Sequence, residues 1–128
     1  ENDEITTFFN HLNSTIQDVE PNNLNNVSIR VTGTNFDSQG NLWVASISFD
    51  EELKKLSPSG QWSSYDLSSL KTVPEKLGLS EIAISSNNTV WIGTRRNGVY
   101  AFNESGNRKR ALIATPNLGN LPNTDVLS

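Results

Sequence analysis

Residues 37–45 read Asp-Ser-Gln-Gly-Asn-Leu-Trp-Val-Ala, and residues 85–93 repeat the pattern as Ser-Ser-Asn-Asn-Thr-Val-Trp-Ile-Gly. Each copy predicts the end of one strand, a tight polar turn and a second strand that carries a tryptophan. Gly40 and Asn88 occupy equivalent positions in the two predicted turns, and these residue types best tolerate a positive φ. No other stretch has comparable internal order, so this repeat decides the predicted fold.

The first copy lies within a predicted unit of four strands. Alternating side chains with turn residues between them predict strands over 28–36, 42–47, 53–56 and 61–67. The strand that carries Trp43 is apolar on both faces, so we expect it to lie between two layers. Trp43 is therefore expected to fill the core, and Asp37, Gly40 and Asn41 to form the turn before it.

The second copy lies within a second unit of the same kind, with strands predicted over 79–85, 89–94, 99–102 and 108–114. Trp91 matches Trp43 at a spacing of 48 residues, and Gly106 matches Gly60 at a spacing of 46. A hairpin turn is predicted over 95–98, because Asn97-Gly98 is the strongest short hairpin signal. Like Trp43, Trp91 is expected to pack between layers and not to stack on a ligand.

Four short strands that recur every 46–48 residues are typical of a β-propeller blade. We therefore predict an all-β fold of β-propeller blades, with two complete four-stranded antiparallel meanders plus a partial blade at each end. The first full blade is predicted over 27–69, the second over 70–115, and the start of a following blade over 116–128. Residues 1–26 are predicted to be the outer strand of a preceding blade and a linker.

The outer strand at the N-terminus is predicted over 5–9, where the residues are Ile-Thr-Thr-Phe-Phe and thus β-branched or aromatic. A helical turn is the alternative, because Phe8, Phe9 and Leu12 can share a helical face. The strand is preferred because residues 5–8 align with residues 62–65, which form an outer strand of the first predicted blade.

Length and composition narrow the class of protein. The 128 residues suffice for one domain, but propellers typically have about four to eight blades, and two do not close a ring. The chain is therefore predicted to be a piece of a longer protein, or to complete itself by self-association. Its net charge of −4 argues against nucleic acid as a partner. No apolar run approaches the roughly 20 residues of a membrane helix, so no membrane insertion is expected.

Three motif pieces resemble the two-component regulator propeller repeat. They are Asp37 followed by Gly40–Val44, Val90–Thr94 followed by Asn97–Val99, and Asn120–Val126, which is similar to the linker between blades in that family. Such repeats occur in the periplasmic sensors of bacterial hybrid histidine kinases and in PorZ-like proteins of the type IX secretion system. The resemblance implies a periplasmic or cell-surface location and a glycan or surface polysaccharide as ligand. The chain departs from the family at Ser85, where the family has Asp, and at Asn88, where it has Gly.

No catalytic residue, metal site or cofactor is predicted. His11 is the only histidine and the chain has no cysteine, which leaves zinc without its usual ligands and a Ser-His-Asp triad without a suitable base. Asp50-Glu51-Glu52 is compatible with calcium binding, but a solvated loop is the preferred interpretation. We therefore predict a non-enzymatic protein for ligand recognition or protein assembly. The alternative is a propeller enzyme, a polysaccharide lyase or hydrolase, which needs clustered histidine, tyrosine or carboxylate groups.

A ligand face is predicted at one end of the strands. In a four-stranded meander, the connection between strands two and three lies at the same end as the connections between blades. That end carries the longer loops, and loops on a rigid scaffold commonly hold binding sites, whereas the opposite end has only tight turns. The predicted ligand contacts are Phe49, Asp50, Arg95, Arg96 and Asn97. The two arginines suit a carboxylate, a sulfate or a sugar phosphate.

Overall fold

The computed structural model describes residues 4–47, 51–72 and 78–112, and these residues form eight strands and one short 3₁₀ helix. The first four strands are β1 (Val31–Phe36), β2 (Leu42–Ser46), β3 (Leu53–Leu56) and β4 (Trp62–Tyr65). After the 3₁₀ helix at Ser68–Leu70 come β5 (Leu79–Ile84), β6 (Val90–Thr94), β7 (Val99–Asn103) and β8 (Arg108–Leu112). None of the described residues belongs to a helix long and apolar enough to cross a membrane.

The strands form two antiparallel sheets in sequence order, β1-β2-β3-β4 (sheet 1) and β5-β6-β7-β8 (sheet 2). The two predicted four-stranded meanders are therefore confirmed. The first hairpin of each sheet carries a register irregularity at a corresponding place, between Val31 and Gly33 and between Leu79 and Ile82. The two sheets share one core, and within the described residues they do not close into a ring.

The turns repeat along with the sequence. Gly40 has a φ of 80° and Asn88 a φ of 59°, so both residues adopt the left-handed conformation that the repeat predicts. Gly60 and Gly106, which follow the third strand of each sheet, have φ values of 85° and 78°. A β-branched residue would be strained at any of these four points, which explains why the turn pattern recurs.

The hairpin turn predicted over 95–98 is present between β6 and β7, but its backbone is not that of a two-residue turn. A two-residue hairpin turn would give both Asn97 and Gly98 a positive φ, but the positive values belong to Arg96 (72°) and Gly98 (74°). Thr94 N donates to Gly98 O at 2.9 Å and closes this wider loop. Asn97 is fully buried, and its side-chain hydrogen bonds, described below, hold it in that position.

The core lies between the two sheets. Trp43 is 1% exposed, and its ring centroid lies 5.5 Å from that of Tyr65 and 5.9 Å from that of Phe102 in sheet 2. The predicted packing role of Trp43 is therefore confirmed. Trp91 is only half-buried and lies outside this cluster, because in the β6 register it points away from sheet 1, opposite to the buried Ile92.

The sheets approach each other most closely along β1 and β5. A Cβ atom on Gly33 would lie 2.6 Å from Glu81 Cα and 2.8 Å from Ile82 N, so only glycine fits at this contact. Next to it, Asn35 Nδ2 donates to Ile82 O at 3.1 Å. We call this side of the two-sheet unit the inner edge, and the side formed by β4 and β8 the outer edge.

The strand predicted over residues 5–9 is not present. Residues 4–10 have no regular secondary structure, and turns follow over 11–15, so the alternative helical turn over Phe8–Leu12 is not formed either. A single outer strand needs a hydrogen-bonded neighbour, and none of the described strands provides one. Instead, the Phe9 ring contacts the Trp62 ring edge-on, with centroids 5.2 Å apart. The partial blade predicted over 116–128 lies outside the described residues.

Candidate functional site

The predicted ligand face lies where the β2–β3 and β6–β7 loops meet, which we call the loop end. Of its five predicted contacts, Phe49 and Asp50 lie outside the described residues. Arg95 and Arg96 are exposed on the β6–β7 loop. Arg95 N donates to Gly78 O at 2.8 Å, so the loop backbone is attached to the start of β5. Because both side chains are exposed, the prediction that Arg95 and Arg96 contact an anionic ligand remains a prediction.

Asn97 is not a ligand contact, because it is buried and all of its side-chain groups are hydrogen-bonded within the chain. Its Oδ1 accepts from Thr72 N at 3.0 Å and from the Thr72 hydroxyl. Its Nδ2 donates to Leu70 O at 2.9 Å and to the Tyr100 hydroxyl. This residue fastens the connection between the two sheets to the β6–β7 loop, so the prediction for Asn97 is wrong and its role is structural.

Other charges at the loop end are also used internally. Glu52 is 3% exposed, pairs with Lys71, and accepts from Leu67 N at 3.0 Å. This pairing occupies one of the three acidic residues that were compatible with calcium. Lys54 is fully buried, donates to Glu51 O, and burial lowers its pKa to about 8. The described part of the loop end therefore offers a ligand little beyond its two arginines.

The opposite end of the strands carries a cleft of about 290 Å³. The β1–β2 turn contributes Asp37 and Gln39, and the buried Trp43 closes the cleft behind them. Two turns of sheet 2 contribute the other wall, formed by Asn87, Asn88, Asn103, Glu104 and Ser105. The turns at this end are tight, as predicted, but together they enclose a cavity that the sequence pattern did not indicate. We call it the turn-end cleft.

Asp37 holds the sheet 1 wall of the cleft in place. Its carboxylate accepts from Gln39 N at 2.9 Å, Asn41 Nδ2 at 2.8 Å and Trp43 Nε1 at 2.9 Å. Burial alone would raise the pKa of Asp37, but these hydrogen bonds outweigh it and the pKa lies below 3.8. Asp37 is therefore an ionised carboxylate whose oxygens are already engaged, which makes the wall rigid.

Glu104 is the second carboxylate of the cleft, and it joins the two sheets. Its Oε1 accepts from Lys55 Nζ at 2.5 Å and from the Tyr65 hydroxyl, both of sheet 1. Burial would raise the pKa of Glu104, but these two hydrogen bonds lower it below 4.5. Its Oε2 has no hydrogen-bond partner among the described residues, so one carboxylate oxygen of Glu104 remains available at the cleft.

Amide side chains complete the walls. Ser38 donates from its backbone N at 3.3 Å and from its hydroxyl at 2.9 Å to Asn88 Oδ1, which connects the turns of the two sheets. Asn103 Nδ2 donates to Asn87 O at 3.1 Å. In the described part of the chain, the side-chain amide nitrogens of three residues donate to no acceptor. They are Gln39 Nε2, Asn87 Nδ2 and Asn88 Nδ2. The Ser105 hydroxyl, which also lines the cleft, has no hydrogen-bond partner among the described residues, so the cleft presents several unused donors and acceptors on a cross-linked scaffold.

These groups suit binding by hydrogen bonds to a polar ligand. The cleft contains no histidine, because His11 lies in the N-terminal segment. Sequence reasoning missed the site because it searched the longer loops, whereas this cavity forms where short turns of two sheets meet. The only signal in the sequence is that the turns at 37–41, 85–89 and 103–107 carry more amide side chains than a turn requires.

No protein-family model and no curated protein matches the chain. Its fold is similar to part of a solved structure, PorZ, which is described as an essential bacterial surface component of the type IX secretion system of the human oral bacterium Porphyromonas gingivalis. The similarity has a TM-score of 0.68 at 20% sequence identity and covers 94% of this chain and 17% of the PorZ chain. The PorZ-like fold expected from the sequence is therefore confirmed, and the finding concerns the fold alone.

Proposed function

We propose that the chain is a segment of a β-propeller in an extracytoplasmic bacterial protein, and that it recognises a glycan ligand without catalysing a reaction. The observation that carries this proposal is the turn-end cleft, which both sheets build together and which holds unused hydrogen-bonding groups. A second part of the proposal is that sheet 1 and sheet 2 are neighbouring blades.

The two sheets carry equivalent tryptophan faces, and this supports the assignment of the sheets as blades. The face of sheet 1 that carries Trp43 is covered by sheet 2, and the equivalent face of sheet 2 carries Trp91. That second face has a groove of about 300 Å³ lined by Ala83, Trp91 and Val99 among others. A two-sheet unit with one packed and one open equivalent face is what a propeller cut between blades would leave. We therefore propose that further blades of a longer chain, or a second copy, cover this face.

The chemistry of the cleft supports a glycan as the ligand. Sugar hydroxyls both donate and accept hydrogen bonds, and the amides of Gln39, Asn87 and Asn88 with the free oxygen of Glu104 match both capacities. The surface location of PorZ, a protein of similar fold, supports an extracytoplasmic site of action. A role in protein assembly at the cell surface is part of the same proposal, because a surface glycan and a partner protein can share one rigid scaffold.

A binding and turnover screen tests this function. The 128-residue chain would be applied to immobilised neutral, amino-bearing and acidic polysaccharides, and the retained fraction would be compared with that of an unrelated β-rich protein. We expect retention on at least one polysaccharide and no release of reducing or unsaturated ends from it. Turnover would favour the alternative, a propeller lyase or hydrolase, and retention on none would refute glycan recognition.

The full gene distinguishes the two family settings. A transmembrane helix and kinase domains that follow the propeller would place it in a sensor. A C-terminal secretion-sorting domain would place it beside PorZ-like proteins.

A further inference from the structure

We infer that the turn-end cleft binds a single uncharged or amino-bearing sugar residue and rejects acidic sugars. The inference rests on the proposed glycan recognition and adds to it the position and charge selectivity of the site. It assigns binding to the end of the strands opposite the one that the sequence pattern favoured.

The size of the cleft limits the ligand to one small unit. Pockets for drug-sized ligands measure about 300–1,000 Å³, and the turn-end cleft, at about 290 Å³, lies at the lower bound. It lies between the β1–β2 turn of sheet 1 and the turns of sheet 2 and is open to solvent. One ring of a longer glycan can therefore enter while its neighbouring rings remain in solvent.

The charge of the cleft selects against anions. Asp37 and Glu104 both line it, and hydrogen bonds lower the pKa of each, so both carboxylates are ionised at neutral pH. The nearby cations are occupied elsewhere, since Lys55 pairs with Glu104 and Arg108 Nε donates to Ser105 O at 3.1 Å. Neither cation lines the cleft. Lys55 offsets the charge of Glu104, but Asp37 pairs with no cation in the described part of the chain, so a sugar carboxylate would enter a cleft of net negative charge, which is unfavourable.

The unused groups fit hydroxyl and amino substituents. Gln39 donates from sheet 1, and Asn87 and Asn88 donate from sheet 2, so a ligand between the walls accepts from both sides. Glu104 Oε2 accepts from a hydroxyl or, more strongly, from an ammonium group, because charge-assisted hydrogen bonds are about twice as strong as neutral ones. The expected order of affinity is an amino sugar, then its neutral acetylated form, then the acidic sugar.

Binding at the loop end would give the opposite order of affinity for these sugars. Arg95 and Arg96 are exposed there, and guanidinium groups prefer carboxylates and phosphates. The two ends of the molecule therefore make contrary predictions for the same set of sugars, and one titration separates them.

The test is a titration of the isotope-labelled 128-residue chain with glucosamine, N-acetylglucosamine and glucuronic acid, followed by amide chemical shifts in NMR spectra. We expect the first two sugars to shift resonances of residues 37–39, 87–88 and 103–105, and glucuronic acid to leave them unchanged. Gln39→Ala should weaken binding by about fivefold, the effect of one neutral hydrogen bond. Glu104→Gln should weaken glucosamine more than N-acetylglucosamine. Arg95→Ala with Arg96→Ala is the matched control and should change neither affinity.

Each other outcome overturns the inference in a distinguishable way. If glucuronic acid shifts residues 94–98 and no sugar shifts the cleft, glycan recognition stands but its site is the loop end. If glucuronic acid binds the cleft as well as glucosamine does, the charge argument is wrong. If none of the three sugars shifts any resonance, the inference fails, and the polysaccharide screen then decides whether glycan recognition fails with it.

Discussion

The environments of Trp43 and Trp91 differ although their sequence surroundings repeat. Trp43 is 1% exposed, and its Nε1 donates to the Asp37 carboxylate at 2.9 Å. Trp91 is half-buried, and its Nε1 donates to the Ser85 hydroxyl at 3.4 Å. The repeat therefore specifies a strand, a turn and an indole hydrogen bond in both places. Burial, in contrast, is decided by what covers the strand.

The open face of sheet 2 is also not a copy of the packed face of sheet 1. Glu81 occupies the position that Gly33 occupies in the first repeat, and Gly33 is the residue that lets the two inner strands approach. Glu81 is exposed, and its side chain extends into the space that an equally close neighbour would need. A sheet that covers Trp91 must therefore approach in a different way at the inner edge.

The largest effect is expected from truncating the two tryptophans. Trp43→Ala should lower the free energy of unfolding by about 3–5 kcal/mol, the usual cost for a large buried aromatic residue. Trp91→Ala should cost about 1 kcal/mol in the same chain, because part of its surface is already in water. Urea unfolding followed by far-UV circular dichroism measures both. Equal losses would mean that the face with Trp91 is covered in solution.

The next effect concerns the inner edge. Gly33→Ala should destabilise the chain by about 1–3 kcal/mol, since overpacking against backbone atoms forces the strands apart. The matched control is Gly78→Ala, whose Cβ would meet Arg95 Cβ at 3.4 Å and nothing closer. Both variants would be compared by urea unfolding, and a Gly33→Ala variant as stable as Gly78→Ala would contradict the close contact of β1 and β5.

A smaller effect follows from Lys54, which holds in sheet 1 the place that the buried Tyr100 holds in sheet 2. Burial lowers the pKa of Lys54 to about 8, below the value near 10.5 of an unfolded lysine. The folded state therefore loses this proton first, and stability should rise by about 2 kcal/mol from about pH 7 to about pH 9.5. Burial raises the pKa of Tyr100 to about 12, so that phenol stays protonated in this range.

Lys54→Met is the variant that isolates this contribution. Without the buried charge, the free energy of unfolding should be nearly constant over the same pH range. A wild-type profile that is already flat would show that Lys54 is not desolvated.

The smallest effect on stability is expected when the hydrogen-bond acceptors of the two tryptophans are exchanged. Asp37→Ser should cost about 1–2 kcal/mol near neutral pH, because the carboxylate accepts several hydrogen bonds. Ser85→Asp should gain up to about 1 kcal/mol, because it gives Trp91 Nε1 a charged acceptor. Thermal unfolding of both variants and of the double variant measures the exchange.

The dependence of stability on acid pH gives a second measurement of the contribution of Asp37. Its folded pKa lies below the unfolded value near 3.8, so its contribution is present above that value and is lost as pH falls through the folded pKa. Asp37→Ser should therefore be less sensitive to acid than the wild type. An unchanged acid midpoint would argue against the role of Asp37 in the turn.

The sequence predicted the features that local rules determine. The eight strands follow from alternating side chains, and the left-handed turns at Gly40 and Asn88 follow from residue type. The hairpin turn predicted over 95–98 is present, but the prediction of Asn97 as a ligand contact was wrong because distant segments compete for its side chain. Thr72 and Leu70 bind the Asn97 side chain and bury it.

The missed features also depend on contacts between segments far apart in the sequence. The strand predicted at 5–9 needs a neighbour that the described residues do not provide. The turn-end cleft arises because Ser38 bonds to Asn88 in a turn of sheet 2 and Glu104 bonds to Lys55 in a strand of sheet 1. Such contacts follow from how the sheets stack, and periodicity within one strand contains no information about it.

The close contact at Gly33 has a consequence for the shape of a larger assembly. At the inner edge the sheets meet through a residue without a side chain, in the middle they are held apart by Trp43 and Phe102, and at the outer edge Lys109 Nζ reaches across to Asp66 O at 2.6 Å. The filling side chains lengthen outward, so the two sheets diverge as a wedge. In a ring of such units the wedge angle determines curvature and hence the number of units that close the circle. In the ring that we propose, this one glycine would thereby contribute to the diameter.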